Sequence, residues 1–405
     1  MFTSPYIRIT VLLTLAHLCH HLCTATLFPM LPLIRDGLAL NYFQSGLLVS
    51  SFSIFYGFGQ VPMAILADRM NRGKILIIGL LGTSISTIGV GITWEYWQML
   101  LCFSALGLTG ATYHALGASL ISDRVPDNFR GRTLGTHAIG GCAGFLVAPI
   151  MAVALAHWAG NWRFAFIVLA VPALFCAMLL WVGPFKISQH RGFNLTGAQR
   201  AAREEHPQAP GSSEKVQPVS YLEIIRKIGI LAGLSMMIQM VNSSVISFLP
   251  LYLVDHHGVS SETAGLMVAI LFGAGIIGAP AGGVLSDRVG RKAVILLSLA
   301  LSGPFLIGIT QANAGVVLIV FLLSYGMATV ARGPVMESLI VDVTPSHRRT
   351  TVLGFYYLVS QETAGILTPL VGYLIDHQGA GFAFTGLASA LSIVGVLALV
   401  FRNRI

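Results

Sequence analysis

The sequence predicts an all-α integral membrane protein whose twelve transmembrane helices form two pseudo-symmetric six-helix bundles. Three observations carry this. Charged residues make up only 10% of the chain against 55% hydrophobic, whereas a soluble protein carries about a quarter charged. Apolar runs of about 20 residues, the length that crosses the hydrocarbon core as helix, recur along the whole chain. Finally, the second half repeats the first at one constant offset.

The apolar runs lie near 9–33, 43–66, 74–93, 98–121, 133–157, 163–183, 228–252, 264–285, 293–311, 315–340, 351–373 and 381–401, here called spans 1 to 12. None shows the period-two alternation of a membrane barrel strand. Span 1 follows Arg8 as a secretory signal would. Its length, its histidines and the lack of a small-x-small cleavage site predict that it stays as a helix. The five cysteines, Cys19, Cys23, Cys102, Cys142 and Cys176, all fall inside spans and read as apolar packing residues.

Alternate connections then lie on opposite sides of the bilayer. All of the 24 Lys and Arg except Arg35, Arg163 and Arg332 fall on one side, together with both termini. Basic loops mark the cytoplasmic side, so both ends are expected there, and a bacterial inner membrane is the expected location. The net charge of +8 is thereby explained by topology, and no nucleic-acid partner is required.

The repeat is legible by eye. LISDRVPDNFRGRTLG at 120–135 aligns with LIVDVTPSHRRTTVLG at 339–354, pairing Asp123 with Asp342, Arg130 with Arg349 and Gly135 with Gly354. The same offset of 219 relates Gly46 to Gly265, Gly59 to Gly278 and Asp68 to Asp287. The expected domains are therefore an N-terminal bundle at 1–185, a polar linker at 186–222 and a C-terminal bundle at 223–405.

GGVLSDRVGRK at 282–292 resembles the signature loop of the major facilitator superfamily, and AILADRMNRGK at 64–74 is a divergent first copy with Asn71 where glycine is usual. Twelve spans, the six-plus-six repeat, the central loop and Asn161-Trp162-Arg163 at the start of span 6 extend the resemblance over the whole chain. It implies a monomeric secondary transporter, with no cofactor and no enzymatic activity, that moves a small organic solute by alternating access, with a proton as coupling ion. Asp68, Arg69, Arg72, Arg130 and Arg132, with Asp287, Arg288, Arg291 and Arg349, are then expected to latch the cytoplasmic side. Gly135, Gly144, Ala148 and Pro149 in span 5 resemble an antiporter motif and favour export.

The resemblance also implies that spans 1, 4, 7 and 10 line a central cavity, and polar residues inside spans are functional candidates by default. His17, His21 and Thr24 share one stripe of span 1, with His20 beside it. Gln239, Asn242 and Ser243 form a neutral polar surface on span 7. Tyr113 on span 4 and Arg332 on span 10, 219 apart, are expected to face each other across the cavity, Arg332 meeting an anionic group of the substrate. Those eight residues are the expected substrate site. Glu337 and Glu362, with His20, are the expected proton-coupling groups, because a carboxylate or imidazole within a span can take up and release a proton. His114 reads as a packing residue, and no resident metal site is assigned. The alternatives are proton-coupled uptake, including of a metal ion or chelate, and more remotely a haem-binding membrane enzyme.

Overall fold

The computed structural model describes residues 5–125, 127–182, 221–344 and 349–403. It is helical throughout these residues: α1 (Pro5–Thr24), α2 (Leu27–Gly37), α3 (Tyr42–Arg69), α4 (Arg72–Ile92), α5 (Tyr96–Gly110), α6 (Tyr113–Arg124), α7 (Asp127–Ala159), α8 (Trp162–Val182), α9 (Tyr221–His257), α10 (Ser261–Val289), α11 (Arg291–Gln311), α12 (Val316–Val343), α13 (Arg349–Gln378) and α14 (Ala380–Val400), closed by a 3₁₀ turn. Span 1 is α1 plus α2 and span 4 is α5 plus α6, so the fourteen helices make twelve crossings. The expected linker lies outside the described residues apart from its last two.

Local chemistry sets the boundaries. Asn41 and Gln44 form a capping box at the start of α3, the Asn41 side chain accepting from the Gln44 amide at 2.8 Å. Asn71 caps α4 through the Lys74 amide, with an ordinary φ of −72°. The residue one repeat later, Gly290, instead turns from α10 into α11 at φ +92°, which L side chains rarely adopt. The divergence of the first signature copy is thus a change of turn: asparagine caps with its side chain where glycine bends the backbone.

The two interruptions have separate causes. Pro29 has no N–H to offer the Ala25 carbonyl, and the Thr26 hydroxyl bonds back to the Leu22 carbonyl at 2.6 Å, so α1 stops and α2 restarts. In span 4 no proline is involved. Thr109 and Thr112 bond back to the carbonyls of Ala105 and Thr109 at 2.7 and 2.8 Å, beside Gly110, which loosens the backbone ladder there. The corresponding second-half helices, α9 and α12, run unbroken.

The repeat carries into packing. α3 packs on α5 as α10 packs on α12, and α4 on α8 as α11 on α14. Gly107 lies against the backbone of Phe52, and Gly326 against that of Leu271; Gly59 meets Leu108, and Gly278 meets Met327. Each of these pairs is shifted by 219 in both members. Small residues let helix backbones approach where lipid supplies no hydrophobic drive for association.

The halves meet along two seams, α3 with α13 and α7 with α10. They are drawn together at the end opposite the basic loops, called the outer end because basic loops are expected on the cytoplasmic side. Gly46 rests on Pro369, Ser50 donates to the Gly365 carbonyl, and Gly265 faces Val153 and Pro29.

Candidate functional site: a cavity between the halves

A cavity of about 320 Å³ lies between the halves. His21 and Thr24 of α1, Tyr56 of α3, His114 of α6 and Phe145 of α7 line it on one side; Gln239, Ser243 and Ser247 of α9, Phe272 of α10 and Thr368 of α13 line it on the other. Both breaks in the first half border it. Thr24 ends α1 and His114 is the second residue of α6, which fits the use of discontinuous helices at transporter binding sites.

Four of the eight expected substrate residues, His21, Thr24, Gln239 and Ser243, lie in the wall. The other four sit behind it. His17 donates from Nδ1 to the His137 carbonyl at 2.9 Å. Asn242 accepts from the Tyr325 hydroxyl at 2.8 Å. Tyr113 is buried, its hydroxyl donating to the Leu13 carbonyl at 2.5 Å, so it does not face Arg332 across open space. The reason is the break after Gly110. It re-aims the start of α6, turning Tyr113 toward α1 and giving the cavity position to His114.

Arg332 is 3% exposed. Its Nη2 donates to Oε1 of Gln239 at 3.2 Å, which places the guanidinium one hydrogen bond behind the wall. Nη1 is buried and meets no hydrogen-bond partner among the described residues. Glu337, five residues on, is half-buried in the same helix.

Span 1's histidines form part of a larger cluster that sequence reasoning did not assemble. His17 lies 4.4 Å from His137 between ring centroids, 5.1 Å from His114 and 5.0 Å from His21, while His20 stacks on Tyr113 at 5.0 Å. Glycines of α7 make room. A Cβ on Gly141 would stand 2.5 Å from the His17 ring, and one on Gly144 would stand 2.6 Å from Cβ of His21. Gly144 of the antiporter-like motif is therefore accounted for by packing against α1, which carries no information on direction. No linear signal joined His114 and His137 to span 1; the one hint was that both lie on helices rich in glycine.

Most of the expected cytoplasmic latch lies outside the described side chains. Asp68, Arg69, Arg130, Arg132, Arg349 and Glu362 have side chains outside the described residues. Asp287 and Arg288 are exposed. Arg72 donates to Ser119 at 2.9 Å and Arg291 pairs with Asp342 at 2.8 Å, both within one half, bracing neighbouring spans. Among the described residues, an arginine–carboxylate pair crosses the halves at the outer end. Arg35 holds Asp255 with both terminal nitrogens, Tyr42 donates its hydroxyl to the same carboxylate, and Arg35 also bonds Asp36 at 2.9 Å. Beside them Asp376 of α13 accepts from the Tyr42 and Phe43 amides at 2.9 Å each, satisfying free donors at the start of α3 across the seam.

Relatives decide what this architecture belongs to. The Major Facilitator Superfamily profile matches residues 13–235 and 231–404. The chain belongs to the major facilitator superfamily. It is 26% identical over 415 residues to a hexuronate transporter of Bacillus subtilis, covering 99% of this chain and 95% of that one. It is 28% identical over 361 residues to the multidrug resistance protein MdtG of Proteus mirabilis, covering 86% and 84%. Its fold is that of a bacterial homolog to the human lysosomal transporter Spinster, with a TM-score of 0.81 at 18% identity over 100% of this chain and 98% of the other. As a member of this superfamily it is an integral membrane transporter of small molecules rather than an enzyme.

Proposed function

We propose that this transporter takes up a small organic anion together with protons by alternating access, with its basic loops in the bacterial cytoplasm and each six-helix half, 1–185 and 223–405, moving as a unit. The observation that carries the reading is Arg332. A guanidinium at membrane depth costs at least about 2.5–3.5 kcal/mol, and this one has a free buried nitrogen among the described residues. By holding Gln239 through Oε1, Arg332 leaves the amide N–H₂ of that side chain for the cavity and polarises it. Gln239 and Ser243 thus form a donor surface backed by a fixed positive charge, suited to a carboxylate.

The cavity volume supports a compact solute, since about 320 Å³ is at the low end of small-molecule pockets, which span about 300–1,000 Å³. The similarity to the hexuronate transporter points the same way. Carrying an anion inward against the membrane potential costs about 2.3 kcal/mol per charge per 100 mV. Accompanying protons offset that cost, and Glu337 and Glu362 are the proposed carriers. A second reading, export of a more apolar drug-like molecule, is favoured by the Phe28, Phe52, Phe145 and Phe272 lining.

Thermal unfolding of purified protein separates the two. Glucuronate stabilises the wild type and glucose does not; Arg332→Gln removes the shift. Equal stabilisation by the uncharged sugar, or stabilisation by apolar cations alone, overturns the anion reading.

A further inference from the structure

Three of the clustered histidines have the arrangement of a metal site. One ring nitrogen each of His17, His21 and His114 lies within 4.8 Å of the other two. Their ring centroids are nearly equidistant, at 5.0, 5.1 and 5.3 Å. With a zinc–nitrogen bond of about 2.0–2.1 Å and a centroid roughly 1.2 Å beyond the nitrogen, three imidazoles on one face of a tetrahedral centre have centroids about 5.2 Å apart. The rings already stand at that spacing. Turning them in place brings the nitrogens toward the separation of about 3.3 Å that a shared ion imposes.

The surroundings prepare two of the rings. A histidine that ligates a metal ordinarily donates its other nitrogen to a carbonyl or hydroxyl, which sets the tautomer. Nδ1 of His17 donates to the His137 carbonyl, leaving an Nε2 that is buried and unpartnered among the described residues. Nδ1 of His21 meets the Thr24 hydroxyl at 3.2 Å, and the tautomer with its proton on Nδ1 leaves Nε2 for a ligand. Gly141 and Gly144 hold α7 close enough to fix both rings. His21 and His114 are in the cavity wall, so the fourth position of a tetrahedral ion opens onto solute.

We propose that His17, His21 and His114 bind one divalent transition-metal ion, with zinc as the representative, in the N-terminal half. Three imidazoles and an open position favour zinc, nickel or copper over magnesium or calcium, which take oxygen ligands. Its ligands all come from the N-terminal half, whereas Gln239, with Arg332 behind it, belongs to the other wall of the cavity, so the site does not rest on the anion reading.

The test uses purified full-length protein, freed of its affinity tag and stripped of metal. Isothermal titration with ZnCl₂ shows one ion per chain, MgCl₂ shows none, and CoCl₂ produces the visible bands of a tetrahedral nitrogen-ligated centre. His114→Ala and His21→Gln each weaken zinc binding by more than about tenfold, whereas His256→Ala, in the last turn of α9, leaves it unchanged. Should His21→Gln lose its monodisperse elution, the cavity-exposed His114 variant and the wild-type cobalt spectrum decide the matter. Absence of zinc binding to wild type, or equal binding by wild type and folded His114→Ala, overturns the proposal.

Discussion

Asp255→Asn tests whether the outer ion pair sets the balance between the transporter's two states. Arg35 and Asp255 are 15% and 32% exposed, between the surface and buried cases. An exposed pair contributes about 0.2–1 kcal/mol, and breaking a buried one costs about 3–5 kcal/mol. The substitution leaves Arg35 its bond to Asp36 and leaves Tyr42 near a neutral acceptor, so the loss belongs toward the lower end, about 1.5–2 kcal/mol. Arg35 and Asp255 belong to different halves, so opening of the outer end would separate them. Loss of this bond raises the outward-open population relative to the closed one by about 10–30-fold. The assay places one cysteine at Ser53, in the cavity wall, in a background lacking the five native cysteines, and follows its reaction with a membrane-impermeant maleimide applied from outside. Asp255→Asn accelerates labelling by that factor, and the exchanged pair Arg35→Asp with Asp255→Arg returns it toward the starting rate. Unchanged labelling in a folded Asp255→Asn protein refutes the reasoning.

Further consequences follow from particular contacts. Arg332→Lys keeps the charge but loses the planar fork, and is expected to retain part of the anion flux in proteoliposomes, while Arg332→Gln loses nearly all of it. Gly107→Val and Gly326→Val drive a side chain into the backbones of Phe52 and Leu271; each is expected to cost about 1–3 kcal/mol or more, read as a lower melting temperature. Gly135→Ala, with nothing within 4 Å of its new Cβ, is expected to be neutral or slightly stabilising in the same assay. Asp376→Ala frees two amides at the start of α3, and hydrogen exchange at Tyr42 and Phe43 rises as roughly 1 kcal/mol of capping is lost.

What the sequence revealed and what it concealed divide along a physical line. Span number, the basic side and the repeat are linear properties, set by run length, loop charge and offset. The repeat even foretells packing, since Gly59 and Gly278 meet residues that are themselves one repeat apart. The site was legible where a residue faces the cavity from an unbroken register, as Gln239 and Ser243 do. It was illegible where the backbone departs from a continuous helix. The break after Gly110 exchanged the expected roles of Tyr113 and His114, and the threonine back-bonds that cause it leave no proline to announce them. The outer latch was hidden differently. Arg35 stood out as an exception to the charge bias, but its partner lies 220 residues away in the other half, where only the folded seam brings it close.

The measurement that addresses the account most directly is accumulation of radiolabelled glucuronate in proteoliposomes holding the purified protein, with an imposed inward proton gradient. The account predicts uptake above the equilibrium level, its collapse when a protonophore removes the gradient, and its loss in Arg332→Gln. Flux of glucuronate that ignores the gradient, or that survives in Arg332→Gln, would contradict it.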